Sequence, residues 1–150
     1  MTEPNLAIVQ RFSAAVREGD FDEMGRLLHD DFVAREAGGL PYSGDYRGLN
    51  GFRDLLQKMN DALTLSPGPF TSESLGRNAV ALRFSLTFTT RASGKSVTMN
   101  LIEVYTLRDE KIVDLDVYYK NPAAVTALLA DEGTVQTELP AAPTGTAGNA

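Results

Sequence analysis

Glu103 stands where the sequence pattern reserves a place for an apolar side chain. Upstream of it, Val80, Leu82, Phe84, Leu86 and Phe88 alternate with Ala81, Arg83, Ser85, Thr87 and Thr89. That is the period of a strand with one apolar face. Closing the next turn on Ala92-Ser93 pairs Phe84 with Leu101, Leu86 with Met99 and Leu82 with Glu103. A three-residue loop, Arg108-Asp109-Glu110, then pairs Leu101 with Val117 and Glu103 with Leu115. This keeps Val113, Leu115, Val117 and Tyr119 on the apolar face, where a two-residue loop puts Asp114 and Asp116. A carboxylate on such a face is short of water, which favours its neutral form and makes it a general acid or base near neutral pH. The other reading is a structural carboxylate held by Tyr105, Tyr46 or a loop amide. The pattern admits both.

Tyr46 and Tyr119 are the hydrogen-bond donors best suited to a carbonyl or a developing enolate, although buried tyrosines also serve as core residues with a wet hydroxyl. The apolar wall comes from Leu82, Phe84 and Leu86 on one strand and Met99 and Leu101 on the next. Leu115 and Val117 complete it from the last strand, and Tyr42 shapes the entrance. Asp114 and Asp116 fall on the outer face by the same parity, as does Asn100. His29, Asp30 and Asp31 read as helix-end and turn residues.

These side chains need helices to pack against. Leu6, Val9, Gln10, Phe12, Ser13 and Val16 predict an amphipathic helix over about residues 4–18, ended by Gly19. Asp20 caps a second, short helix with Phe21, Met24, Leu27 and Leu28 on one stripe. A short strand, Phe32 to Glu36, precedes the loop 38–44, and Leu49 to Leu63 predicts a third helix. From Phe70 the period changes to 2, giving strands near 70–76, 79–90, 96–107 and 111–119. Asn121-Pro122 opens a last helix through Ala130. Helices followed by an antiparallel meander make an α+β fold.

Composition limits the chemistry. The 150 residues carry no cysteine, which excludes disulfides, thiolate metal sites and a cysteine nucleophile, and one histidine cannot build a multi-histidine site. A net charge of −6 argues against a nucleic-acid surface. No apolar run reaches membrane-spanning length, and the amino terminus has no basic start of a signal peptide, so a cytoplasmic protein is expected. Residues 131–150 hold three acids and no base and end in Ala, Pro, Thr, Gly and Asn, predicting a disordered tail behind a domain of residues 3–130.

The element order resembles the nuclear-transport-factor-2-like, or SnoaL-like, superfamily over about residues 4–130. Local matches are Phe32 to Glu36, Leu40 to Gly48, and Tyr118-Tyr119-Lys120-Asn121-Pro122. The resemblance implies a cone: a curved antiparallel sheet packed on N-terminal helices around a deep pocket, with Glu36 at its mouth as a second candidate acid or base. Residues 94–119 also resemble the limonene-epoxide-hydrolase branch, but the Asp-Arg-Asp set of that branch falls on Phe84, Leu86 and Val117, so epoxide hydrolysis is rejected. The functional expectation is a pocket for a small hydrophobic molecule in a cyclase or isomerase that needs no cofactor and no metal. Catalysis is assigned to Glu103, Glu36, Tyr46 and Tyr119. The alternative is a non-catalytic ligand-binding or dimerisation module. A homodimer through the outer sheet face is expected from Ile102, Val104 and Tyr118.

Overall fold

In the computed structural model, which describes residues 3–133, helices come first and a single sheet wraps against them. Helix α1 (Pro4–Glu18) starts on the Glu3 carboxylate, which accepts from the amides of Asn5 and Leu6, and ends at Gly19 with φ 70°. Only glycine takes that left-handed turn without strain. Asp20 caps α2 (Phe21–Leu27) by accepting from Glu23 N at 3.1 Å. Next come β1 (Leu28–Glu36), β2 (Gly44–Arg47) and α3 (Gly48–Ala62). Strands β3 (Leu63–Leu75), β4 (Ala79–Thr90), β5 (Ser96–Arg108) and β6 (Lys111–Tyr119) follow, then α4 (Pro122–Gly133). The tail expected to be disordered lies, from residue 134, outside the described residues.

The sheet is curved, open and six-stranded, in the order β2-β1-β6-β5-β4-β3. It is mixed rather than purely antiparallel, because β1 runs parallel to β6 beside it. Strand β2, helix α3 and three further strands separate β1 from β6, so no hairpin links them, and β1 joins the β6 edge of the meander. Three expected boundaries also shift. Strand β1 begins four residues before Phe32, the Gly44–Arg47 stretch is an edge strand, and β3 starts directly after α3 rather than at Phe70. Pro67, Gly68 and Pro69 had masked that strand's period; they sit at a break in the β3–β4 ladder between Pro67 and Phe70.

The β4–β5 register is the expected one: Leu82 faces Glu103, Phe84 faces Leu101, and Leu86 faces Met99. The β5–β6 register is not. The hairpin closes on two residues, Asp109 and Glu110, with φ of 55° and 62°. A break in the ladder between Thr106 and Leu107 then shifts the partners, so Leu101 pairs with Tyr119, Glu103 with Val117, and Tyr105 with Leu115. That irregularity keeps Leu115, Val117 and Tyr119 inward despite the short loop, and Ile112 is buried in place of Val113.

Aromatic rings tie helices to sheet. The Phe12 ring of α1 lies 5.5 Å from Phe52 of α3 and 6.0 Å, edge-on, from Tyr105 of β5. On the outer face Ile102 and Tyr118 stay exposed. Arg35 bridges Asp114 at 2.8 Å and Asp45 at 3.1 Å on that side. Among the described residues, no helix is long and apolar enough to cross a membrane.

Candidate functional site

Between helices α1 and α3 and the concave face of the sheet lies a cavity of about 700 Å³. Its sheet wall holds Leu82, Phe84 and Leu86 from β4, Leu101 from β5, and Leu115 and Val117 from β6. Phe12, Phe52 and Leu55 close it from the helices. Four polar side chains of the sheet break this apolar lining: Glu36, Glu103, Tyr105 and Tyr119.

Glu103 is placed by strand alternation, with Leu82 and Val117 as its neighbours on the two flanking strands. Burial among them raises its carboxyl pKa. Two groups oppose that rise. The Tyr105 hydroxyl donates to Glu103 Oε1 at 2.6 Å, and the Arg17 guanidinium contributes positive charge from α1. Tyr105 itself is held above the usual phenol range, first by burial and then by the Glu103 charge. It therefore remains a donor.

Glu36 reaches the same cavity from the end of β1. One residue beyond the Arg35–Asp116 pair, the parallel ladder carries it alongside Val117, whose other neighbour is Glu103. The two carboxyl-bearing backbones are thus two strand spacings apart, roughly 10 Å. Burial is the main cause that pushes the Glu36 pKa up to about 8. The Glu103 charge adds to it, while the Ala37 amide, donating to Glu36 Oε1 at 3.1 Å, and the Tyr119 hydroxyl act in the opposite sense. A carboxyl with this value keeps its proton at neutral pH and donates hydrogen bonds.

The tyrosines divide their work. Tyr119 lines the cavity, its ring 5.6 Å from Phe88, and its hydroxyl shares a 2.9 Å hydrogen bond with that of Tyr42. Burial raises both phenols. Tyr46 points elsewhere: its hydroxyl donates to the Tyr42 carbonyl at 2.7 Å and holds the 38–43 loop. Tyr42, Tyr46 and Met99 are buried but are not among the residues lining the cavity. The hydroxyls of Tyr42 and Tyr46 are engaged by Tyr119 and by the Tyr42 carbonyl instead.

Sequence reasoning missed the helix side of the site. Arg17, Ser13 and Asn60 border the cavity, as does Phe70 of β3. Ser13 already belonged to the apolar stripe of the first helix, and Arg17 is one helical turn further along. That spacing was the available signal. Among the described residues no group of three or more His, Cys, Asp or Glu side chains can hold a metal ion.

The profile of the SnoaL-like domain matches residues 9–115. A nuclear-transport-factor-2-like protein from Burkholderia xenovorans LB400 superposes with a TM-score of 0.75 at 23% identity, over 86% of this chain and 97% of that one. A proposed polyketide cyclase from Xanthomonas campestris pv. campestris gives a TM-score of 0.70 at 19% identity, over 85% and 95%. TerC, co-crystallised with polyporic acid, gives 0.69 at 20% identity, over 86% and 99%. These likenesses concern the fold. No curated protein is significantly similar to the chain.

Proposed function

Because the chain belongs to the SnoaL-like domain family, we propose that its cavity takes up a small hydrophobic carbonyl compound and that Glu103 moves a proton beside the carbonyl. The observation that carries this reading is one ionisable carboxylate in an apolar cavity, with a second, proton-bearing carboxyl across Val117. A proposed polyketide cyclase among the structural neighbours supports the same class.

In the proposed step Glu103 removes a proton from the carbon next to the carbonyl, and the electron pair moves onto the carbonyl oxygen. Glu36 and Tyr119 donate hydrogen bonds to that oxygen, where their raised pKa values keep them protonated. In a β,γ-unsaturated substrate the dienolate is then reprotonated by Glu103 at the γ carbon, which is isomerisation; otherwise the enolate attacks a second carbonyl of the same molecule and the new alkoxide takes the proton back from Glu103, which is cyclisation. Both outcomes conserve protons and electrons without an outside reductant.

A filled, dry interior favours a module that only assembles. A cavity of about 700 Å³ with converging polar groups supports the catalytic reading instead. Dimerisation through the outer face around Ile102 and Tyr118 belongs to the same proposal, and sedimentation at micromolar concentration checks it.

The test is hydrogen–deuterium exchange at the carbon beside the carbonyl of hydrophobic cyclic ketones such as 2-tetralone, followed by NMR in D₂O. The wild-type protein accelerates exchange above buffer, and Glu103→Gln lowers the rate by roughly two to four orders of magnitude. Equal exchange by the two proteins removes Glu103 from the role of base.

A further inference from the structure

Charge is distributed unevenly along the cavity. Its buried depth carries Glu36 and Glu103, whereas among the described residues lining it the only cation is Arg17, at the mouth. Arg17 is solvent-exposed on the last turn of α1. One arm of its guanidinium donates to Ser13 Oγ at 2.9 Å, and the group sits 4.8 Å from the centre of the Phe70 ring. Phe70 comes from β3, immediately after the break in the β3–β4 ladder that follows Pro67. Gly68 lies inside that break, where a Cβ would meet Ser85 Oγ at 2.3 Å.

Arg17 makes no ion pair among the described residues, although it acts through space on Glu103. Held by Ser13 on one side and by the Phe70 ring on its face, the planar guanidinium has no other hydrogen-bond partner among the described residues. That geometry matches a carboxylate or an ionised enol, which accept two parallel hydrogen bonds. The acids in the depth set the direction of binding. An anionic group entering first meets Glu103 and is repelled; one left at the rim meets Arg17. Glu18 also lines the cavity, next to Arg17 in the chain.

We propose that the ligand is an amphipathic organic acid whose anionic group stays at the rim on Arg17, while its apolar, ring-bearing body fills the cavity toward Glu103. This rests on the reading of the cavity as the ligand site, and assigns Arg17 as the residue that selects and orients the ligand.

Two dyes of nearly identical body test it. 1-Anilinonaphthalene-8-sulfonate carries an anionic group; N-phenyl-1-naphthylamine has the same rings without it. The protein contains no tryptophan, so dye fluorescence is read without energy transfer from an indole. In wild type both dyes bind. Arg17→Gln weakens the sulfonate dye roughly tenfold, the effect of losing one charge-assisted contact at a partly exposed site, and changes the neutral dye less than twofold. Arg83→Gln, which removes the same charge from the outer face, leaves both dyes unaffected. A loss that Arg17→Gln imposes on both dyes equally, or on neither, overturns the role of Arg17 while the cavity reading stands. Failure of both dyes to bind the wild-type protein overturns the cavity reading and the inference with it.

Discussion

The Tyr105 hydroxyl donates to Glu103 Oε1 across 2.6 Å from a position two residues along the same strand. Because alternate residues share one face of a strand, this bond is built into β5 and needs no loop to hold it. It stabilises the charged carboxylate, against the burial that favours the neutral form. Tyr105→Phe removes the bond without changing the ring packed on Phe12. The expected result is a Glu103 pKa higher than in wild type, seen as a shift of the base limb of the exchange rate to higher pH. An unmoved limb removes Tyr105 from the tuning of Glu103.

Glu36 makes stability depend on pH. Its carboxyl titrates near 8 in the folded protein against an ordinary value of 4.5. Between these values the folded state binds more protons than the unfolded state, so stability is greatest below about 4.5 and declines as pH rises toward 8. Glu36→Gln flattens this decline and stabilises the protein above pH 8 by up to about 5 kcal/mol. Urea unfolding from pH 5 to 9 checks both the slope and its loss.

The β5–β6 hairpin holds Asp109 and Glu110 at φ of 55° and 62°. Left-handed backbone costs roughly 1 kcal/mol for a residue with a side chain, and two-residue turns of this hand favour glycine at the second position. Glu110→Gly is expected to raise stability by about 1 kcal/mol in thermal unfolding, with no effect on dye binding. A destabilised variant contradicts the strain assigned to this turn.

This hairpin also marks where the sequence stopped being legible. Alternation identified the inward faces of β4, β5 and β6 and put Glu103 inside, because a period of 2 survives any shift of register by an even number of residues. Pairing between β5 and β6 depended on the loop, and the irregularity at Thr106/Leu107 leaves no mark in the hydrophobic pattern. The parallel pairing of β1 with β6 was hidden for a different reason. It depends on which edge the sheet leaves open, a property of the assembled fold. The same distance between local pattern and tertiary packing hid Arg17, whose exposed position on α1 reads as ordinary surface until Phe70 is brought over it.

Tyr46 holds the loop that carries Tyr42 rather than the cavity itself. Tyr46→Phe loses one buried hydrogen bond, expected to cost about 1 kcal/mol. Amides of residues 38–43 then exchange faster with solvent while dye binding persists. Loss of dye binding in a folded Tyr46→Phe variant places this residue in the site after all.

Glu36 and Glu103 line the same cavity. Burial is the first cause of the raised Glu36 pKa, and it is unaltered by a change at position 103. The Glu103 charge is a separate cause acting in the same direction. Glu103→Gln removes that negative charge and keeps the shape of the side chain. Glu36 must then release its proton more readily, with a midpoint below 8 but still above 4.5, since burial persists. Carbon-13 NMR of labelled glutamate carboxyls reads this midpoint directly in both proteins. A fall ties the two groups into one electrostatic unit, in which a charged Glu103 keeps the proton on Glu36. An unchanged midpoint separates them, and makes burial alone the reason that Glu36 keeps its proton.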